Sequence, residues 1–253
     1  MSPPIEQVRA TRYVAPLREG GSLPALVEAS DDGLYVVKLR GAGQGPKALV
    51  AELLAGRLAR ELELPVPDLA LVELPGELAI AEPDPEIQEL LSASAGTNAG
   101  LDFLPGALPF SPAGRFEVDP ALAARIVWFD SLVENVDRTP KNPNLLTWHG
   151  ALWMIDHGAA LYRQHQGLDP AAAGGRFDPI RDHVLLGRAG PIRDADAELA
   201  PRVTAELLRA SGADVPPAWF EGAELETYVE YLLARLEARE LWVETAEEGR
   251  ARA

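Results

Sequence analysis

The sequence predicts an α+β protein with two lobes, a small strand-rich N-terminal lobe over residues 1–100 and a larger, mostly helical C-terminal lobe over residues 101–253. Residues 12–39 are rich in β-forming apolar side chains separated by Gly-containing turns, a pattern typical of strands. From about residue 170 onward, apolar residues recur with a period near 3.6, which is typical of amphipathic helices. A segment rich in Pro and Gly at 101–114 lies between the two patterns, and we expect the chain to cross between the lobes there.

The N-terminal elements follow from short local patterns. Residues 12–17 and 23–29 read as strands on either side of a turn, REGGS, and 33–40 read as a further strand that follows a DDG turn. Leucines at helical spacing predict a helix over 47–64, and Pro65 ends it. A strand is expected at 68–74 and a short helix within 82–96.

The C-terminal elements are predicted in the same way. Asp119 and Pro120 are a good N-cap and first position for a helix that continues through residue 135. Residues 144–156 read as a hairpin with a His-Gly turn. Further helices are expected within 196–212 and 222–253.

The overall composition indicates a globular protein with an acidic surface. With 47% hydrophobic and 25% charged residues, the chain of 253 residues has the balance of a globular protein. Its 39 acidic residues against 23 Lys and Arg give a net charge of −16, and so acidic a surface repels phosphate backbones. We therefore expect no nucleic-acid partner, although a local cationic pocket would still admit a small anionic ligand.

Cysteine usage and hydropathy predict the compartment. The chain has no Cys, which excludes disulfides and thiolate metal sites and is typical of the reducing cytosol. No apolar run reaches the length of a membrane span, and the first residues lack the apolar core of a signal peptide. We expect a cytoplasmic protein that does not bind membranes.

One segment carries an unusual density of polar side chains. Asp137 and Asn142 lie five positions apart in a stretch that two prolines keep out of regular structure, and Asp156 follows the predicted hairpin. Because a hairpin brings its ends together, we expect Asn142 and Asp156 to converge, with Asp137 nearby. An amide oxygen and a carboxylate suit Mg²⁺, and the third group would accept or orient a proton. The alternative is a turn-capping Asp137 beside a surface charge, Arg138, and an ordinary acid at a strand end.

This pattern resembles a known family. D-R-x-x-x-N, a hairpin and D-x-G are similar to the catalytic and metal-binding loops of the protein-kinase-like fold, and the form DRTPKNPNLL…LWMIDHG is most similar to the HipA-like kinases, and more distantly to the phosphatidylinositol kinases. As in those kinases, Asn135 and Val136 stand before Asp137 in place of His-Arg. The resemblance implies a two-lobed kinase-like fold that binds ATP and Mg²⁺ between its lobes.

The resemblance also implies roles for residues of the N-terminal half. Lys38, within the apolar YVVKL strand, resembles the lysine that holds nucleotide phosphates, and Glu52 resembles its helix partner. A charge in such a strand is costly unless it is paired or bound to an anion. The alternatives are an edge-strand lysine that reaches solvent and a surface glutamate. The resemblance further implies a phosphate-covering loop formed by Gly20, Gly21 and Ser22. It also implies an adenine pocket lined by Phe103 and Leu104.

The function predicted from these residues is ATP-dependent phosphate transfer. By resemblance the acceptor is a protein Ser or Thr, and a small-molecule hydroxyl stays open, as does a regulatory protein partner. A nucleotide-binding pseudokinase or interaction module is the alternative, because Gly20 and Gly21 are adjacent and no Ala-Pro-Glu segment follows Gly158. A metal-dependent hydrolase that uses Asp137 and Asp156 leaves Lys38 without a role.

Overall fold

A computed structural model describes residues 3–17, 23–43 and 45–253 of the chain. The predicted phosphate-covering loop, Gly20 to Ser22, lies outside the described residues. The remainder forms two parts, a strand-rich N-terminal lobe and a mostly helical C-terminal lobe, so the α+β prediction is confirmed.

The N-terminal lobe is a closed barrel in which β1 pairs with β4 in parallel and the other pairs are antiparallel. Side chains of β2 alternate between buried and partly buried, as expected for a strand with one face in a core. The order around the barrel is β1-β2-β3-β5-β4. The strands are β1 Glu6–Pro16, β2 Ala25–Ala29, β3 Leu34–Lys38, β4 Leu69–Leu74 and β5 Gly96–Asp102.

The strand β5 was not predicted, because its sequence GTNAGLD is poor in β-forming residues. Tertiary contacts hold it in place instead. The buried Asn98 side chain accepts a hydrogen bond from the Arg40 N–H at 2.9 Å and donates to the Gly96 carbonyl at 2.7 Å. A Cβ on Gly100 would lie 2.5 Å from a methyl group of Val72, so only glycine allows the two strands to approach this closely.

Two helices accompany the barrel, α1 Gly45–Glu61 and α2 Pro85–Ala93. Every residue of α1 from Leu49 to Ala59 is buried, because the helix lies between the barrel and the C-terminal lobe. It ends earlier than the predicted residue 64, and Glu63 takes a left-handed conformation with φ 60°. A Cβ on Gly56 would lie 3.2 Å from the side chain of Leu69 on β4, so the small face of α1 lies against the sheet.

The C-terminal lobe begins with a short strand and a capped helix. Asp119 accepts a hydrogen bond from Leu122 N–H at 2.9 Å, which confirms the predicted N-cap. The hairpin is also confirmed, with positive φ at both His149 and Gly150 as a two-residue turn requires. The elements are β6 Leu108–Pro109, α3 Pro120–Leu132, β7 Leu145–Trp148, β8 Ala151–Met154, α4 Ile192–Leu199, α5 Ala205–Gly212, α6 Leu225–Glu237 and α7 Arg239–Arg250, with short 3₁₀ turns between them.

One apolar core joins α1, the hairpin and the C-terminal helices. At its centre Trp128 of α3 packs edge-on against Trp242 of α7, with ring centroids 5.5 Å apart. This core sets the barrel against the hairpin and thereby places β3 beside the segment that follows β8. Among the helices that the structure describes, none combines the length and the apolar character needed to cross a membrane.

Candidate active site

Lys38 lies at the end of β3, which is paired on both sides, by β2 and by β5. It is therefore not an edge-strand lysine, and only 8% of the residue is exposed. Its Nζ donates to Glu52 Oε2 at 2.7 Å and also to the Asp156 carboxylate. The structure thus brings together three of the residues that the sequence singled out, across the junction of the two lobes.

Glu52 is completely buried on α1, which excludes the surface-glutamate alternative. Burial alone would raise the pKa of its carboxyl group, but the positive charge of Lys38, with a smaller contribution from the neighbouring His157, lowers that pKa to about 2. Burial would likewise lower the pKa of Lys38, and the attraction of Glu52 and then Asp156 raises it instead. Both groups are therefore charged at neutral pH.

Asp156 follows β8 in a left-handed conformation with φ 57°, and a third of its side chain, 33%, is exposed. The backbone N–H of the next residue, His157, donates to Glu52 Oε2 at 2.8 Å. The loop that carries Asp156 is thereby tied to α1. We call Lys38, Glu52, Asp156 and His157 the Lys38 cluster.

The loop before β7 holds the Asp137 carboxylate with two amides. Asn142 Nδ2 donates to Asp137 Oδ2 at 2.7 Å, and Asn144 Nδ2 reaches the same oxygen at 3.3 Å. The Asp137 N–H donates to Asn135 Oδ1 at 3.1 Å. Because the amide nitrogen of Asn142 donates to Asp137, its amide oxygen is not used in this contact.

Arg138 joins the two ends of the hairpin. The Ile155 N–H donates to the Asn144 carbonyl at 3.1 Å, and the Arg138 guanidinium donates to the carbonyls of both residues. Asn142 and Asp156 therefore each lie within two residues of this bonded pair. The interpretation of Arg138 as a surface charge is wrong, because only 1% of the residue is exposed.

Arg138 is neutralised by Asp130 of α3, which sequence reasoning missed. Arg138 Nε donates to Asp130 Oδ2 at 2.5 Å, and His183 Nε2 lies 2.9 Å from the same oxygen. Burial would raise the pKa of Asp130, but Arg138 and His183 hold that pKa well below its ordinary range. The N–H of Leu185 donates to His183 Nδ1 at 3.1 Å, so the imidazole proton lies on Nε2.

We call Asp130, Asn135, Arg138 and His183 the Asp130 cluster. Its fourth member, Asn135, donates to Asp130 Oδ1 at 3.2 Å. The sequence held one signal for this cluster, because Asp130 lies within the apolar run of α3 and eight residues before Arg138. The third partner, His183, had no signal, because it lies 53 residues from Asp130 along the chain.

Phe103 and Leu104 follow β5 directly. The Phe103 N–H donates to the Leu34 carbonyl at 2.9 Å, at the start of the strand that ends in Lys38. Leu104 is buried and Phe103 is partly buried. Both residues lie in the connection between the lobes, and their contact with adenine stays a prediction.

The donor atoms fit a divalent cation. Asn142 and Asp156 offer an amide oxygen and a carboxylate, which are the hard ligands that Mg²⁺ and Mn²⁺ prefer, and two protein ligands leave positions for phosphate oxygens. Within residues 3–17, 23–43 and 45–253, no group of three or more His, Cys, Asp or Glu side chains is arranged to hold a metal ion.

Comparison with solved structures relates this fold to kinases. A Helicobacter pylori proinflammatory kinase, CtkA, matches with a TM-score of 0.57 at 12% identity, over 98% of this chain and 99% of that chain. The structure of the Golgi casein kinase with Mn and ADP bound matches with a TM-score of 0.52 at 13% identity, over 98% of this chain and 74% of that chain. At these identities the likeness shows a kinase-like fold.

The sequence was also compared with protein families and with curated proteins. Residues 11–243 match the model of a family described as HipA-like kinase. The match spans both lobes and includes Lys38, Glu52, Asp137, Asn142 and Asp156. No curated protein matched the sequence.

Proposed function

Because the chain belongs to the HipA-like kinase family, we propose that it transfers the γ-phosphate of ATP to a hydroxyl group of a protein Ser or Thr. The observation that carries this proposal is the Lys38 cluster. It joins a buried lysine of the barrel to the acid at the end of the hairpin, beside the loop that holds Asp137. Kinase chemistry depends mostly on positioning and charge, and this arrangement supplies both.

Lys38 binds the α- and β-phosphates of ATP in this proposal. Its ammonium is held by Glu52 at 2.7 Å and also contacts Asp156. A phosphate oxygen replaces Asp156 as the second partner of the ammonium, and Glu52 remains the first. The Asp156 carboxylate is then free for a different ligand.

Asn142 and Asp156 would hold the divalent cation, which would offset the negative charge of the phosphates. The Asn142 amide is already oriented by its hydrogen bond to Asp137, and Arg138 fixes the ends of the hairpin. The Golgi casein kinase structure holds Mn and ADP, which supports a nucleotide with a divalent cation, and both Mg²⁺ and Mn²⁺ should therefore be tested.

Asp137 orients the acceptor hydroxyl. Asn142 and Asn144 bind its Oδ2, and within the described part of the chain no hydrogen bond reaches its Oδ1. That oxygen accepts the hydroxyl proton while the acceptor oxygen bonds to the γ-phosphorus. The bond between this phosphorus and the β–γ bridging oxygen breaks, and ADP leaves.

The test is transfer of radiolabel from γ-labelled ATP, with Mg²⁺ or Mn²⁺, to casein and to a panel of small-molecule alcohols, followed by phosphoamino-acid analysis. We expect phosphoserine or phosphothreonine. We expect Asp137→Asn and Asp156→Asn to lower transfer about a thousandfold, while Asp182→Asn, at an exposed acid, retains it. Wild-type transfer by Asp156→Asn would refute the assigned roles.

Other outcomes would favour the alternatives. Thermal stabilisation by ATP and Mg²⁺ without transfer to any acceptor would favour a nucleotide-binding pseudokinase. Cleavage of a phosphate ester without nucleotide would favour a metal-dependent hydrolase. Phosphate on an alcohol and none on casein would keep the kinase and change the acceptor class.

A further inference from the structure

The imidazole of His157 has no assigned role, although it is completely buried. Among the described residues, neither of its ring nitrogens has a hydrogen-bond partner, and Glu52 Oε1 also lacks one. His157 Nδ1 and Glu52 Oε1 lie 3.8 Å apart. Two unsatisfied buried polar groups therefore face each other.

This gap is too long for a hydrogen bond and too short for a bridging water. A hydrogen bond between these atoms requires a movement of roughly 1 Å, whereas a water that bridges them at a tetrahedral angle needs about 4.6 Å between the two atoms. A buried carboxylate oxygen without a donor is costly, and the cost is greater because the group is charged. The arrangement gains stability if the two atoms approach.

Glu52 and Phe129 both lie beside the imidazole of His157. Phe129 of α3 packs edge-on against the ring, with centroids 6.3 Å apart. Glu52 Oε2 already accepts from Lys38 and from the His157 N–H. His157 thus binds Glu52 Oε2 through its backbone N–H and faces Glu52 Oε1 with its side chain.

We propose that His157 is a positioning residue whose Nδ1–H donates to Glu52 Oε1 when Lys38 leaves Asp156 for the phosphates of ATP. This inference rests on the proposed function. Lys38 is now shared between two carboxylates, and its turn toward phosphate changes its contact with Glu52. The second hydrogen bond from His157 holds Glu52 in place through that exchange. It also couples the loop of Asp156 to α1.

The first test is the proton position on the ring when a non-hydrolysable ATP analogue and Mg²⁺ are bound, measured by long-range ¹H–¹⁵N correlation on labelled wild-type protein. The chain has four histidines, and the His157 signal is assigned by its loss in His157→Asn. We expect the proton on Nδ1. The Nε2-protonated form expected for His183 provides an internal reference of opposite tautomer. An unprotonated Nδ1 at His157 would overturn the inference.

The second test compares two substitutions with the same number of side-chain heavy atoms and the same branching. In His157→Asn the side-chain amide places an N–H at the position of Nδ1, and in His157→Leu a methyl group replaces it. We expect His157→Asn to keep kcat/KM for ATP within about threefold, and His157→Leu to lose about tenfold or more. A packing role predicts the reverse order, since Leu suits a buried site better than Asn, and that order would overturn the inference.

These measurements separate the inference from the proposed function. If wild-type protein transfers no phosphate, the proposed function fails, and binding of a non-hydrolysable ATP analogue with Mg²⁺ replaces kcat/KM. Tighter binding by wild type and His157→Asn than by His157→Leu supports the inference, and equal binding overturns it. If either variant does not fold, the wild-type spectrum still decides, with the His157 signal assigned by exclusion of the other three histidines.

Discussion

The Asp130 cluster and the Lys38 cluster are both groups of four side chains built around a buried carboxylate, yet their hydrogen bonding differs. In the Asp130 cluster both carboxylate oxygens, both imidazole nitrogens and all three guanidinium nitrogens have partners. In the Lys38 cluster one carboxylate oxygen and both imidazole nitrogens have none among the described residues. Unsatisfied buried groups are rare, so this contrast calls for a physical reason.

The difference indicates that the Asp130 cluster stabilises the fold, whereas the Lys38 cluster changes its hydrogen-bond partners during the proposed reaction. The Asp130 cluster fixes α3, the loop of Asp137 and the ends of the hairpin in one arrangement, so full bonding stabilises it. The Lys38 cluster must exchange partners if the proposed phosphate transfer is right. A group that changes its partners on ligand binding can be left without a partner in one of the two states.

The largest expected effect is on catalysis, at Asp156. Asp156→Asn removes a charged metal ligand, and we expect kcat for phosphate transfer to fall about a thousandfold. The free energy of unfolding should change by about 1 kcal/mol or less, because the lost ion pair is partly exposed. Steady-state kinetics and urea unfolding measure the two effects. If Asp156→Asn lowered stability and kept the wild-type kcat, the Lys38 cluster would be structural like the Asp130 cluster, and the contrast between the two would be wrong.

The next effect is on stability, at Arg138. Arg138→Met leaves the buried Asp130 carboxylate without its main partner, and we expect a loss of about 3–5 kcal/mol in the free energy of unfolding. The matched control is Arg193→Met, since Arg193 pairs with Glu244 at an exposed position and should cost below about 1 kcal/mol. Equal losses in the two variants would contradict the framework role.

The loss of stability at acid pH should follow the protonation of Glu52. Its folded-state pKa of about 2 lies below its ordinary value of 4.5, so its contribution, on the order of 3 kcal/mol, is present above pH 4.5 and is lost as the pH falls toward 2. In Lys38→Met the main cause of the lowered pKa is absent, and stability should fall less steeply over this range. Urea unfolding at pH 7, 4 and 3 measures the slopes, and equal slopes would exclude Lys38 as the cause.

The smallest effect is expected at Gly158. A Cβ there would lie 3.6 Å from Ala48 O, Asp156 Oδ1 and Lys38 Nζ, so Gly158→Ala should change the free energy of unfolding by less than about 1 kcal/mol. Gly100→Ala is the opposite control, with a 2.5 Å clash, and should cost about 1–3 kcal/mol. Lost phosphate transfer with intact stability in Gly158→Ala would indicate that the loop takes another arrangement with ATP. A large stability loss would contradict the geometry.

The sequence alone determined the features that are encoded locally. Helical and strand periods, the Asp119 cap and the His149-Gly150 turn predicted the first helix, the helix after Asp119 and the hairpin, because each depends on a few neighbouring residues. Other bounds were wrong: β1 begins at Glu6 and not at residue 12, and the helices expected within 196–212 and 222–253 are each divided in two. Spacing around the hairpin was enough to select Asp137, Asn142 and Asp156 as candidates, and the family match confirms the resemblance.

Only the tertiary structure decided which side chains are buried together. Lys38 and Asp156 lie 118 residues apart, and Asp130 and His183 lie 53 apart, so no local pattern connects them. The same applies to β5, whose weak β-forming sequence is held by neighbouring strands and by Asn98. The role of a charged side chain depends on its burial and its partners, and the folding of distant segments onto one core sets both.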